Sequence, residues 1–331
     1  MVKQGRYSPG SRMVQKEKEM RFIFILFINI TYCLILLNHP KSEISNIDGN
    51  VIDHYTENIS KDTGSYLNPG SFRTIGYGYI LRLPFKSILI LNCFLGAWLF
   101  YIVFDMIGRK AWLLAFLGAF TVYVPILYTD LLFATIFITA IWMIRKNIWI
   151  HFLLLGIASL VRPSLAWFFL IEPVVLWYYR KEFLWWSAVV VFVVTSFSPI
   201  RNYILYNTWT HSTVLRFNIE SDDYYGGRES TMQYFKDAFK ANYLSGHYDY
   251  AGAMYNKYKR DSGDKEASRI MWVSNIICVL INLFIWLRFT IRILQRKVNW
   301  GNVIMVCYFV VPTLFGAAGA RLRLPIEWML L

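Results

Sequence analysis

A series of apolar runs divides this chain, and no other feature limits its fold as strongly. The runs are Arg21–Leu37, Phe85–Phe104, Trp112–Tyr128, Leu131–Ile144, Ile148–Val161, Ser164–Tyr179, Phe183–Pro199, Met271–Phe289 and Asn302–Gly319, and a further run starts at Ile326. Several are shorter than the roughly 20 residues of a membrane-crossing helix, so one such run alone also fits a soluble core helix. The whole series predicts an all-α polytopic membrane protein, a bundle of about nine to ten transmembrane helices with two long outer-face loops.

The composition agrees with a membrane protein. Apolar residues make up 56% of the chain and charged residues only 17%. A soluble domain of this length would carry more charge and would interrupt its apolar runs more often. The cysteines all lie within apolar runs, which favours packing residues over a disulfide framework.

The net charge of +13 has a regular placement along the sequence. Basic residues precede the first run and recur in every second loop: Lys3, Arg6, Arg12, Lys16, Lys18, Arg21, Arg109, Lys110, Arg145, Lys146, Arg180, Lys181, Arg288, Arg292, Arg296 and Lys297. This is the positive-inside pattern, so it predicts a cytoplasmic N-terminus and explains the charge by topology, without a nucleic-acid partner. The pattern suits a bacterial inner (plasma) membrane.

The same topology predicts the organisation of the chain. Residues 1–21 form a cytoplasmic arm, and residues 22–199 contain the first seven predicted helices together with an outer loop at 38–84. Residues 200–270 form a second outer loop. Residues 271–331 contain the remaining helices, the last of them cut short at Leu331.

Four arginines stand at the outer ends of predicted helices, where positive charge is disfavoured: Arg162, Arg201, Arg321 and Arg323. Charge that breaks the topology rule marks a functional-site hypothesis, and a guanidinium fork fits phosphate oxygens in two places. The plainer alternative is that each arginine pairs with a loop carboxylate or a lipid headgroup. At the same face, Asp130 is a lone acid between two apolar runs.

Asp53 is the second candidate acid, and it opens the segment Asp53-His54-Tyr55 in the first outer loop. A carboxylate can take the proton of a hydroxyl nucleophile, or hold a cation that activates it. A solvated loop acid is the alternative.

Short motifs recur at the outer ends of the predicted helices. They are Asp53-His54-Tyr55, Arg73-Thr74-Ile75-Gly76-Tyr77-Gly78, Tyr128-Thr129-Asp130-Leu131-Leu132, Leu160-Val161-Arg162-Pro163-Ser164, Pro199-Ile200-Arg201-Asn202-Tyr203 and Arg321-Leu322-Arg323-Leu324-Pro325-Ile326-Glu327. In this order the set resembles the GT-C superfamily of membrane glycosyltransferases, and within it the bacterial relatives of dolichyl-phosphate-mannose–protein mannosyltransferases.

The resemblance implies transfer of a hexose or pentose from a polyprenyl-phosphate donor to a glycan, lipid or protein acceptor on the outer face, with inversion. Asp53 would be the base, Asp130 a second acid, and Tyr55 and Tyr77 would contact substrate. The candidates for the donor phosphate are Arg73, Arg162, Arg201, Arg321 and Arg323. Fixed cations there would lower the barrier, because negative charge grows on the departing phosphate. GT-C branches differ in their use of a divalent cation, and the single clear acid of the first loop favours no metal.

Other function classes stay open. Ile75 and Gly78 replace prolines of the family pattern, and His54 stands where a second acid is common, so an inactive remnant of the fold is one alternative. A transporter or flippase of a lipid-linked or anionic solute is another, with arginines along its pathway. The charges gather at one face beside long loops, which favours surface chemistry over passage.

Overall fold

The computed structural model describes residues 9–38, 80, 83–124, 129–207, 209, 265–314 and 324–331. The described residues form helices and turns without a β-strand, which confirms the all-α prediction. The α-helices are α1 (Pro9–Asn38), α2 (Phe85–Ile107), α3 (Ala111–Phe116), α4 (Thr129–Met143), α5 (Ile148–Val161), α6 (Glu172–Arg180), α7 (Trp186–Thr195), α8 (Phe197–Tyr206), α9 (Lys265–Leu294), α10 (Trp300–Leu314) and α11 (Glu327–Leu330). Short 3-10 turns occupy Gly108–Lys110, Pro163–Leu165 and Phe168–Leu170.

Two described helical stretches are long and apolar enough to cross a membrane, Lys86–Phe116 and Ile276–Leu294. A third is possible by length if α7 and α8, which meet at an angle of 48°, count as one broken span. Shorter apolar helices cover Asp130–Met143, Ile148–Val161 and Trp300–Val310. The described residues therefore support membrane helices, while most of the two predicted outer loops lies outside them.

Large apolar side chains cover the outside of these helices. Phe27 of α1 is 65% exposed and Phe284 of α9 is 60% exposed. In the apolar stretch of α9, only 22% of the residues are buried within the protein. Soluble monomers rarely expose contiguous apolar surface on this scale, so the surface agrees with helices that contact lipid.

The chain reverses direction after α2 and returns along it. Gly108 makes the turn with a φ of +63°, a conformation that glycine adopts without steric cost. Beyond the turn, the Phe120 ring packs edge-on against Phe100 at 5.3 Å between centroids. Further along, the Asn92 side chain donates to the carbonyl oxygen of Val124 at 3.0 Å. Residues 111–124 thus lie alongside α2, although α3 itself ends at Phe116.

The core forms where consecutive helices pack in pairs. Helix α1 packs on α2, α2 on α4, α4 on α5, and α5 on α7, while α6 packs on α10. Helix α11 contacts α3, α9 and α10. Phe133 and Phe137 of α4 are buried at the centre, and both rings contact Phe309 of α10. These contacts hold α4, α5 and α10 together around the end of the bundle that carries the candidate site.

Gly96→Ala is expected to destabilise the protein because α2 approaches the returning segment closely at this glycine. An added Cβ would lie 2.3 Å from the carbonyl oxygen of Phe120 and 2.8 Å from the Asn29 amide nitrogen. Backbone must then move, and overpacking of this kind costs about 1–3 kcal/mol. Thermal unfolding in detergent, followed by a thiol-reactive dye that labels the buried Cys33, Cys93 and Cys278 on exposure, measures the effect.

Gly156→Ala is the matched control for this measurement. Its added Cβ would meet the Cβ of Val194 at 3.2 Å, a contact that a shift of a few tenths of an ångström between the two helices relieves. We expect a smaller loss of thermal stability than for Gly96→Ala. An equal loss in both variants would mean that the close approach at Gly96 does not hold α2 in place.

Candidate functional site

The described residues contain part of the site that the sequence predicts. Asp130, Arg162 and Arg201 are described. The other predicted site residues lie outside the described residues: Asp53, Tyr55, Arg73, Tyr77, Arg321 and Arg323.

Asp130 lies in the first turn of α4 and is almost completely buried, with 2% of its side chain exposed. A carboxylate in a first helical turn lies close to the unpaired N–H groups of the helix start, which favour negative charge. A carboxylate at this depth also needs a cation or hydrogen-bond donors, because desolvation of a lone charge is costly.

Arg162 supplies that cation from the end of α5. Pro163 follows it, and a proline disfavours the helical conformation for the residue before it. Arg162 is accordingly extended, with φ −148° and ψ 134°, and its N–H closes the helix on the carbonyl of Ala158. The turn is fixed further by Tyr308 of α10, whose hydroxyl donates to the carbonyl oxygen of Ser164 at 2.7 Å.

The two side chains meet across α4 and α5. The Arg162 Nη1 group donates to Asp130 Oδ1 at 2.5 Å. The guanidinium carbon also lies 5.8 Å from the ring centroid of Phe133, within the range of a cation–π contact. Asp130 and Phe133 are three positions apart on one helix face, so α4 offers both a charge and an aromatic ring to the same arginine.

The Arg162 guanidinium keeps unused hydrogen-bonding capacity. A guanidinium carries five N–H donors. Within the described residues, the bond to Asp130 is the only hydrogen bond that the Arg162 side chain makes, and 20% of this side chain is exposed. The structure therefore shows a guanidinium group that is held on one side by a buried acid and has further N–H donors on its partly exposed side.

Arg201 lies on α8, which contacts α5. Its Nη1 group donates to the Asn202 side-chain oxygen at 3.0 Å. Helix α5 also contacts the broken helix at Gly156, where an added Cβ would lie 3.2 Å from the Val194 side chain. Arg162 stands at the end of α5 and Arg201 lies on α8, each a few residues beyond this contact along the chain. Neighbouring elements therefore carry the two arginines.

A second buried polar pair was missed by the sequence analysis. His151 of α5 and Glu172 of α6 are both fully buried, with His151 Nε2 2.7 Å from Glu172 Oε1. The other ring nitrogen, Nδ1, lies 2.9 Å from the carbonyl oxygen of Ala140. The signal was present in the sequence, because each residue is an ionisable group inside an otherwise apolar run.

The described residues contain no group of three or more His, Cys, Asp or Glu side chains placed to hold a metal ion. Comparison with protein-family models, with curated proteins and with solved structures finds no match to this chain.

Proposed function

We propose that this protein is a membrane glycosyltransferase that moves a sugar from a polyprenyl-phosphate donor to an acceptor on the outer face of a bacterial inner membrane. The observation that carries the proposal is the Arg162 guanidinium, paired with the buried Asp130 at a helix end and carrying further N–H donors on its partly exposed side. The motif resemblance supplies the reaction class. The proposal includes a bundle of about nine to ten spans with a cytoplasmic N-terminus.

The proposed chemistry is a single displacement at the anomeric carbon. The acceptor hydroxyl forms a new bond to that carbon and passes its proton to the Asp53 carboxylate. The bond from the anomeric carbon to the phosphate oxygen breaks, and the electron pair leaves with the lipid phosphate. Attack from the face opposite to the leaving group inverts the configuration. Arg162, and with it Arg201, Arg321 and Arg323, stabilises the charge on the phosphate as it departs.

Asp130 has a positioning role in this proposal. Its carboxylate holds one edge of the Arg162 fork, which orients the remaining N–H donors before the donor lipid binds. A fork oriented in advance loses less conformational freedom on binding than a free side chain would. Neither a divalent cation nor another cofactor is part of the proposal.

Asp53→Asn is expected to lower sugar transfer by about 10²–10⁴-fold, the usual contribution of a positioned general base. The measurement is transfer of radiolabelled sugar from a panel of polyprenyl-phosphate donors in membranes that contain the wild type or a variant. Arg323→Ala is expected to raise the donor concentration needed for half-maximal rate. Asp62→Asn, in the same loop, is the matched control and should transfer at the wild-type rate.

Full activity of Asp53→Asn beside an active wild type would remove Asp53 from the catalytic role. A wild type that transfers no sugar across the whole panel would contradict the proposal itself.

Two observations favour a transporter or flippase as the second candidate. The α7–α8 helix is broken at an angle of 48°, and the His151–Glu172 pair is fully buried within the bundle. Discontinuous helices and buried ionisable groups are typical of transport pathways. Movement of a fluorescent polyprenyl-phosphate lipid across vesicles that contain the protein, with no sugar transfer, would support this candidate over the transferase.

A further inference from the structure

Two cysteine side chains meet between α1 and α2. Cys33 Sγ of α1 lies 3.8 Å from Cys93 Sγ of α2, and the two residues are 60 positions apart in the sequence. Both residues are buried, Cys33 with 5% and Cys93 with 3% of its surface exposed. The other cysteines, Cys278 and Cys307, lie on α9 and α10. The bundle therefore brings together two thiols that are far apart along the chain.

An asparagine one helical turn away holds α1 at this level of α2. Asn29 lies four positions before Cys33, on the same face of α1, and is fully buried. Its amide donates to the main-chain oxygen of Cys93 itself, at 3.2 Å. On α2, Gly96 leaves room for this amide, because an added Cβ would lie 2.8 Å from the amide nitrogen. The hydrogen bond and the close approach fix the register of the two helices at the thiol pair.

Helix α1 depends on this contact for its place in the bundle. Among the described helices, α1 packs chiefly on α2. Side chains on the rest of its surface, such as Phe27, Ile30 and Leu34, are exposed. A helix with few buried contacts separates locally at a lower free-energy cost than a helix that is packed on several sides. Local separation of α1 from α2 would expose the thiols, and a covalent bond between them would oppose that separation.

We propose that Cys33 and Cys93 form a reversible disulfide that joins α1 covalently to α2. The sulfur atoms have to approach from 3.8 Å to about 2.05 Å, and rotation about the two Cα–Cβ bonds can supply this movement. The oxidant is a second disulfide, small and apolar enough to reach thiols that lie among apolar helices. The proposal does not depend on the proposed enzymatic function.

The reaction is a thiol–disulfide exchange in two steps. One protein thiolate attacks the oxidant, whose S–S bond breaks, so that one thiol leaves and a mixed disulfide remains on the protein. The second protein thiolate attacks the protein sulfur of this mixed disulfide, and the second thiol leaves. The protons of the two cysteines pass to the two departing thiolates. The second step is intramolecular, so it is fast only where the two cysteine sulfurs already lie close together.

Dithiodipyridine is the oxidant for the test, because it is an apolar disulfide that releases one coloured thiopyridone at each exchange. The reduced variant Cys278→Ala/Cys307→Ala, purified in detergent, keeps only the Cys33–Cys93 pair. We expect it to release two thiopyridones per protein and to retain no pyridyl group. Its mass should fall by two hydrogen atoms, and peptide mapping should show Cys33 linked to Cys93. A reductant should regenerate both thiols.

The Tm of the oxidised protein is expected to lie about 5 °C above that of the reduced protein, because closing a long loop restricts the unfolded chain. Cys33→Ala and Cys93→Ala, each made in the variant without Cys278 and Cys307, are the matched controls. Each keeps one thiol, so each should release one thiopyridone and retain one pyridyl group. Neither should gain thermal stability from the oxidant.

Three results would overturn the proposal. The first is retention of a pyridyl group on both Cys33 and Cys93. The second is a folded protein that does not react under conditions in which the unfolded protein reacts fully, and the third is an equal Tm of the oxidised and reduced forms. If the variant without Cys278 and Cys307 does not fold, peptide mapping of the oxidised wild type distinguishes a Cys33–Cys93 link from two separate adducts.

Discussion

Arg162→Ala is expected to destabilise the protein by about 3–5 kcal/mol, the cost of removing one partner from a buried ion pair. The carboxylate of Asp130 is 2% exposed, so water cannot replace the lost guanidinium. Thermal or denaturant unfolding of the variant in detergent measures the loss. The double variant Asp130→Asn/Arg162→Ala should be more stable than Arg162→Ala alone, because a buried neutral amide costs less than a buried carboxylate that has lost its guanidinium partner.

Arg180→Ala is the matched control for this pair. Arg180 also contacts an acid, Glu182, at 3.3 Å, but the Glu182 side chain is 52% exposed. Exposed ion pairs contribute roughly 0–1 kcal/mol, so this variant should remain close to the wild type. Equal losses for Arg162→Ala and Arg180→Ala would mean that burial of Asp130 has no energetic consequence.

Arg162→Lys separates stability from the proposed function. Lysine keeps the positive charge beside Asp130 and should recover part of the stability. It lacks the planar fork, so a role in holding the donor phosphate predicts weaker donor binding in this variant even where the fold is intact.

Some helices of this protein coincide with its apolar runs, because a backbone in an apolar environment must satisfy its hydrogen bonds within the segment. The run Ile148–Val161 coincides with α5. At its start, the Asn147 side chain accepts hydrogen bonds from the N–H groups of Trp149 and Ile150, as an N-cap asparagine does. Its end at Arg162 follows from Pro163.

Other runs contain breaks that hydrophobicity alone does not reveal. In the run Ser164–Tyr179, two 3-10 turns come before α6, which begins at Glu172. Pro163 begins the first of these turns, and Pro173 lies in the first turn of α6. The run Phe183–Pro199 divides at Ser196 into two helices that meet at 48°. An apolar run shows that a segment is buried or faces lipid. The residues that interrupt the helix decide whether that segment can cross a membrane as one helix.

The Asp130–Arg162 contact shows where a single sequence stops being informative. The charge pattern selects Arg162, since it stands on the side where cations are rare. The charge pattern does not say which helix the Arg162 side chain contacts. Asp130 and Arg162 belong to different helices, and the rotation of one helix relative to another depends on packing. That rotation is set by buried aromatic contacts such as Phe133 and Phe137 with Phe309, which no local pattern encodes.

Glu172→Leu is expected to destabilise the protein by about 3–5 kcal/mol, although Glu172 belongs to no predicted site. Nδ1 of His151 faces a carbonyl oxygen at 2.9 Å, which only accepts, so Nδ1 carries a proton. Nε2 and Glu172 Oε1 then share a second proton at 2.7 Å, with both side chains fully buried. Removing the carboxyl leaves a ring nitrogen without water or a partner. Unfolding in detergent provides the measurement.

Variants at this pair should show strong coupling. Glu172→Gln should be mild, because its amide N–H can still donate to Nε2. His151→Leu/Glu172→Leu should be more stable than either single variant, since the buried imidazole and the buried carboxyl are removed together and only the carbonyl oxygen of Ala140 loses its donor. Ser187→Ala is the control: this hydroxyl is buried without a partner in the described residues, so its loss should be neutral or stabilising. Additive single losses, with a coupling below about 0.5 kcal/mol, would contradict a shared proton.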